Sequence, residues 1–139
     1  QGHRLVADDV VRITRVASGR IVGTAPEATK YLIEVRGIGI VDVRYLFGVG
    51  SAVNEKSIDF IMDLEMYDPN AQYERIGARE KRTELLGVDI PTTVLPVSPG
   101  RNIAVVVEVA ARNFLLKKLG YDTSGHFAKR MESIFEGKK

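Results

Sequence analysis

The run Ile33-Glu34-Val35-Arg36-Gly37-Ile38-Gly39-Ile40-Val41-Asp42 sets a carboxylate, a guanidinium and two glycines inside an otherwise apolar stretch. A core strand has no use for those charges. Glu34 and Arg36 flank a turn in which Gly37 and Gly39 remove the Cβ atoms that would hold a polyanionic ligand away from the backbone. Two readings stay open on this window alone: one wall of a metal and phosphate site, or a tight turn after a helix.

The chain around that run has 139 residues, 45% of them hydrophobic, which is enough to close the core of one domain. A formal net charge of +2 gives no argument for a nucleic-acid or membrane partner. The absence of Cys excludes a disulfide framework and a thiolate metal site and fits a reducing compartment, with the cytoplasm expected. No apolar run approaches the roughly 18 residues of a membrane span. Gln1-Gly2-His3-Arg4 carries no initiator Met, and Gly2 reads as a helix C-cap, so the chain is expected to begin mid-domain.

Hydrophobic periodicity gives a mixed α/β order. Leu5 to Ala7 reads as a short buried strand that emerges at Asp8-Asp9, and Val10 to Val16 as a half-exposed strand. Strand Arg20 to Val22 follows, and then a helix opened by Pro26 that runs to about Val35 and stops at Gly37. Asp42 caps a short helical turn through Phe47 that Gly48 and Gly50 end. Alternation of Ile58, Phe60, Met62, Leu64 and Met66 with Asp59, Asp63 and Glu65 predicts a strand with one apolar face. Residues 83 to 90 read as a strand bulged at Gly87, and 92 to 97 as another in which Pro96 marks an edge or an end. Asn102 caps a long helix to Leu119, with Ile103, Val106, Val107, Ala110, Phe114 and Leu115 on one face and Lys117 and Lys118 before Gly120. A last amphipathic helix spans 124 to 136.

Four constellations carry chemistry. Asp8 and Asp9 are adjacent carboxylates that, about 5 Å apart, repel by about 3 kcal/mol at an effective dielectric of about 20, which a bound cation relieves; a solvated turn is the plainer reading. Glu34 is a hard oxygen donor suited to Mg²⁺, or a surface partner of Arg36 or Lys30. Arg75, after Tyr73-Glu74, offers a fork of donors to phosphoryl oxygens, or a surface ion pair. Pro96-Val97-Ser98-Pro99-Gly100-Arg101 is a rigid turn that delivers Arg101 to the start of the long helix, an anion position or a plain connection. His3 and His126 have no second ligand at metal spacing. G-x-x-x-x-G-K-[ST] does not occur, the only Gly-Lys pair being Gly137-Lys138.

Those residues, together with Gly2-His3-Arg4-Leu5-Val6-Ala7-Asp8-Asp9, Tyr73-Glu74-Arg75 and Pro99-Gly100-Arg101-Asn102 leading into Ile103 to Ala110, resemble the C-terminal part of the bacterial HPr kinase/phosphorylase family over essentially the whole chain. The resemblance implies a P-loop-kinase-like mixed sheet with flanking and C-terminal helices, here a partial domain that starts after the P-loop and its helix. It implies a hexamer that phosphorylates a serine of the phosphocarrier HPr with ATP or pyrophosphate, and reverses this by attack of inorganic phosphate, in carbon catabolite regulation. By the same resemblance Asp9 exchanges the serine proton, Glu34 binds Mg²⁺, Arg75 is an active-site arginine, and the 33–42 run serves both reactions. Pro96 to Arg101 matches the segment tied to phosphorolysis, with Ser98 standing where a basic residue is common. The nucleotide loop is then expected before Gln1, and Gly37 and Gly39 position Glu34 and the metal opposite it. Two other readings stay open: a non-catalytic regulatory module that keeps the HPr-binding surface, and a Mg²⁺-dependent phosphatase using Asp8 and Asp9.

Overall fold

A computed structural model describes residues 2–70, 81–120 and 123–136. The chain is mixed α/β, as its periodicity predicts: β1 (Arg12–Arg15), β2 (Ile21–Thr24), β3 (Leu32–Val35), β4 (Gly39–Asp42), α1 (Val43–Phe47), β5 (Glu55–Ser57), β6 (Ile61–Met66), β7 (Lys81–Leu85), β8 (Val88–Val97), α2 (Ile103–Lys118) and α3 (Thr123–Glu136). It divides into two compact units, residues 1–61 with 82–91, and residues 62–81 with 92–139.

In the first unit β2 is the middle strand of an antiparallel sheet ordered β1-β2-β5. Its apolar run explains that place: Ile21, Val22 and Gly23 are all buried, as expected of a strand with neighbours on both edges. β1 alternates and is mostly exposed, pairing Arg12 with Thr24 and Arg15 with Ile21. Among the described residues Ile21, Val22, Val43 and Ile90 are the buried apolar side chains, and all four belong to this unit.

The helix expected between Pro26 and Val35 does not form. A single 3-10 turn, Glu27–Thr29, is followed by an antiparallel hairpin in which β3 pairs with β4 from Leu32↔Asp42 to Val35↔Gly39. Ile33, Val35, Ile40 and Val41 are β-branched and lose χ1 freedom in a helix, while the returning strand 39–42 completes the ladder that they favour. Leu5 to Ala7 is likewise no strand: Leu5 makes one isolated parallel bridge to Ala52, donating to Ser51 O at 2.8 Å and accepting from Val53 N at 2.9 Å. The expected strand from Ile58 is shorter than its alternation, starting at Ile61, and Leu64 and Met66 are exposed. Residues 83–90 are not a bulged strand but a hairpin, with Leu86 and Gly87, both at positive φ, forming the turn between β7 and β8.

The helix caps expected at Asp42 and Asn102 form, unlike the helix start at Pro26 and stop at Gly37. Asp42 caps α1 by accepting from Arg44 N at 2.9 Å, and Gly48 ends it. In the second unit β6 and β8 are sheet neighbours, Tyr67 N donates to Val97 O at 2.8 Å, and Pro96 sits one residue from the end of β8. Asn102 caps α2 by accepting from Val105 N at 3.3 Å, and Lys117 and Lys118 occupy its last turn. Val106, Val107, Ala110 and Phe114 of its expected face are half-buried, whereas Ile103 and Leu115 are exposed. Among the described residues no helix is long and apolar enough to cross a membrane.

The base of the β3–β4 hairpin is clasped by side chains. Tyr31 adopts φ 69°, accepts from Val43 N at 3.0 Å, and donates its hydroxyl to Asn54 Oδ1 at 2.7 Å. The Arg44 guanidinium lies 3.7 Å from the Tyr31 ring centre and also bonds Asp42 Oδ2 at 3.1 Å. That side-chain hydrogen bond from Arg44 is the main reason the Asp42 carboxyl titrates below its ordinary 3.8. A carboxyl whose folded pKa is depressed stabilises the fold above its unfolded pKa, and the contribution disappears as pH falls through the folded value. The thermal midpoint of the native protein should therefore exceed that of Asp42→Asn at neutral pH, with the gap closing below about pH 4. Circular-dichroism melts across that range check this, and a gap independent of pH would contradict it.

Candidate functional site

In the first unit the hairpin and the segment before β1 bring Asp8 to the strand that carries Glu34. Asp8 reaches β3, where its Oδ2 accepts the backbone N–H of Glu34 at 3.0 Å, a contact between residues 26 positions apart. Asp8 O also accepts from Val10 N at 2.6 Å, a tight turn around Asp9, which takes φ 60°. Aspartate is one of the few side chains that tolerate this left-handed region, because its short carboxylate bonds locally. Asp9 is exposed and Asp8 half-buried, so the two adjacent carboxylates have different surroundings.

Glu34 lies mid-strand on β3, opposite Ile40, with its side chain exposed. Neither ion pair weighed for it from sequence is present: Lys30 Nζ lies 3.9 Å from Glu27, and among the described residues Glu34 makes no salt bridge. Arg36 and Gly37 occupy the exposed turn, closed by Ile38 N donating to Val35 O at 3.0 Å. Gly37 at φ 89° and Gly39 at φ 108° are in backbone conformations that side chains rarely adopt, although a Cβ on either would meet nothing within 4 Å. Their requirement is conformational. Gly39→Ala and Gly39→Leu should each cost about 1–2 kcal/mol and by similar amounts, since strain rather than crowding opposes both. Urea unfolding would reveal this; a much larger loss for Leu would point to a steric cause instead.

In the second unit the turn Pro96 to Arg101 contains Gly100 at φ 86°, and Arg101 N donates to Ser98 O at 3.3 Å. Arg101 is exposed just before the Asn102 cap, and its Nη1 donates to Pro96 O at 3.4 Å. Val97 and Ser98 are half-buried and Pro99 exposed. Arg75, with Tyr73 and Glu74, lies outside the described residues.

The donor set fits a particular kind of metal site. Among the described residues no three His, Cys, Asp or Glu side chains group closely enough to hold an ion by themselves. Mg²⁺ does not need such a cage, since it keeps several waters and takes one or two carboxylates plus substrate phosphates. The exposed Glu34 carboxylate, held on a strand beside the Asp8–Asp9 turn, suits that mode. Sequence reasoning missed the Asp8 contact and the Tyr31–Arg44 clasp, because neither has a local signature. The Asp-x-Arg spacing of Asp42 and Arg44 at a helix start was the one available hint.

Comparison with known proteins identifies the family of the chain. The family described as "HPr Serine kinase C-terminal domain" matches residues 1–131. Similar proteins include the HPr kinase/phosphorylase of Geobacillus thermodenitrificans, 44% identical over 140 residues, covering 100% of this chain and 45% of that protein. That of Caldicellulosiruptor bescii is 47% identical over 132 residues, covering 95% and 42%. The chain thus spans less than half the length of these relatives. Among solved structures, the Hpr(Ser) kinase/phosphatase of Coxiella burnetii matches with a TM-score of 0.80 at 32% identity, covering 91% of this chain and 76% of that one.

Proposed function

The chain belongs to the HPr serine kinase C-terminal domain family, and from that premise we propose that residues 1–139 form a single C-terminal domain of a bifunctional serine kinase/phosphorylase acting on HPr, in carbon catabolite regulation. The observation that carries the reading is the Asp8–Glu34 hydrogen bond, which joins the two acidic elements, distant in sequence, at one edge of the β3–β4 hairpin. In the kinase direction the serine hydroxyl oxygen attacks the terminal phosphorus of ATP or pyrophosphate, its proton passes to Asp9, and ADP or phosphate leaves. In the reverse direction inorganic phosphate attacks the phosphoserine, pyrophosphate forms, and Asp9 returns the proton to the serine oxygen. Each direction is balanced by one proton on one carboxylate, the role of a general acid and base.

Glu34 would hold Mg²⁺, and the ion when bound would supply charge neutralisation for the transferred phosphoryl group. The hairpin turn fixes Glu34, and Arg36 adds positive charge at its rim. Arg75 and Arg101 are assigned to phosphoryl oxygens, and Pro96 to Arg101 to the phosphorolytic direction. The chain contains no P-loop motif, so the reading assigns the nucleotide cradle to residues outside this sequence. A cytoplasmic homo-hexamer is part of the same proposal. Ile38, Ile40, Tyr45, Leu46, Phe47 and Val49, all within twelve positions, are exposed, apolar surface of the kind that packs against further protein.

The test is incubation of the full-length gene product with HPr, ATP and Mg²⁺, followed by mass spectrometry. Phosphoserine on HPr that disappears with added inorganic phosphate, releasing pyrophosphate, is the expected result. No phosphoserine under any of these conditions would contradict the proposal.

A further inference from the structure

Two adjacent aspartates beside a metal-binding glutamate invite the assumption that both serve the ligand. Their geometry separates them. The Asp8 carboxylate is half-buried and turned onto the polypeptide, where Oδ2 accepts the Glu34 N–H at 3.0 Å. Asp9, the next residue, is exposed and held at φ 60° inside a turn that Asp8 closes through its own carbonyl, 2.6 Å from Val10 N. Asp8 therefore bonds in two directions at once: its side chain to the strand carrying Glu34, its main chain to the turn carrying Asp9.

We infer that Asp8 is a positioning residue, a tether that sets the separation between the Asp9 carboxylate and the Glu34 carboxylate. A charged acceptor suits that task, because a hydrogen bond from an amide to a carboxylate is shorter and about twice as strong as one to a neutral group. Asp8 Oδ2 to Glu34 N is a direct bond from the segment before β1 to β3. Leu5, its isolated bridge, is tied to Ala52 and its neighbours rather than to β3. Without the Asp8 bond, the Asp9 turn keeps its local conformation but loses its fixed place relative to Glu34. This inference rests on the assignment of Asp9 and Glu34 to phosphoryl transfer, whereas the tether itself is a structural claim that can be read without any activity.

The experiment compares Asp8→Asn, Asp8→Ala and Asp8→Glu in the full-length protein by site-resolved amide hydrogen exchange and by steady-state kinetics with HPr. The Asn side chain keeps an acceptor oxygen in place, so Asp8→Asn should retain most of the protection at the Glu34 amide and most of kcat. Asp8→Ala should speed Glu34 exchange by about tenfold, the loss of one such bond. It should also lower kcat by about 10- to 100-fold with little change in KM, as a misplacement of about an ångström does. Should Asp8→Ala fail to fold, Asp8→Glu takes its place: it keeps the charge and moves the acceptor by one methylene, so the tether again predicts faster exchange and lower kcat. Unchanged Glu34 protection in Asp8→Ala, or in Asp8→Glu where that variant replaces it, would overturn the tether. Asp8→Asn as inactive as Asp8→Ala, with the amide still protected, would overturn it in favour of direct metal or substrate contact. A wild-type protein inactive on HPr refutes the assigned function, and the exchange data still decide the tether.

Discussion

Asp9→Asn is expected to lower kcat for HPr phosphorylation by about 10²–10⁴-fold, the range that a positioned general base contributes. The substitution is informative because the backbone tolerates it. Asp9 adopts φ 60°, and Asn shares with Asp the ability to occupy that region, so the turn should survive while the proton acceptor is lost. Asp9→Ala lacks that tolerance and mixes backbone strain with lost chemistry. Expected alongside the lower kcat are an unchanged melting temperature and little change in KM for HPr. If Asp9→Asn retains full kcat in both directions, Asp9 is not the group that exchanges the serine proton.

Glu34→Gln should raise the Mg²⁺ concentration for half-maximal activity by at least about tenfold, as losses around a metal site generally do. The fold should be untouched. Glu34 takes part in the hairpin and the Asp8 contact through its backbone, pairing with Ile40 and donating its amide N–H, while its side chain stands exposed. Isothermal titration with Mg²⁺ and a melt on the same sample separate the two effects. Unaltered Mg²⁺ dependence would remove Glu34 from the metal site, and a large drop in melting temperature would show that its carboxylate supports the fold.

The two helix starts were legible in the sequence because their signals are local. Asp42 before an apolar turn and Asn102 before the 103–118 helix announce helix starts, since capping needs only the next few residues. The 33–42 run declared a turn bearing charges. Its secondary structure was not legible, because a glycine after an apolar segment ends a helix or turns a hairpin equally well, and the strand 39–42 that decides the matter acts through pairing. The alternation from Ile58 misled for a related reason: periodicity says which residues could share a face, not where a partner strand ends. Asp8 illustrates the limit best. Its place beside Asp9 is written in the sequence, but its bond partner lies far away in the chain, and only the folded register brings Glu34 to it.

Whether Asp9 and Glu34 act on one phosphoryl group is decided by single-turnover transfer from labelled ATP to HPr in the full-length protein, comparing Asp9→Asn, Glu34→Gln and the double variant at fixed Mg²⁺. Groups that work as a unit are strongly non-additive, so the double variant should be scarcely slower than Asp9→Asn alone. Losses that multiply, or a single variant with the wild-type rate, would contradict a shared site.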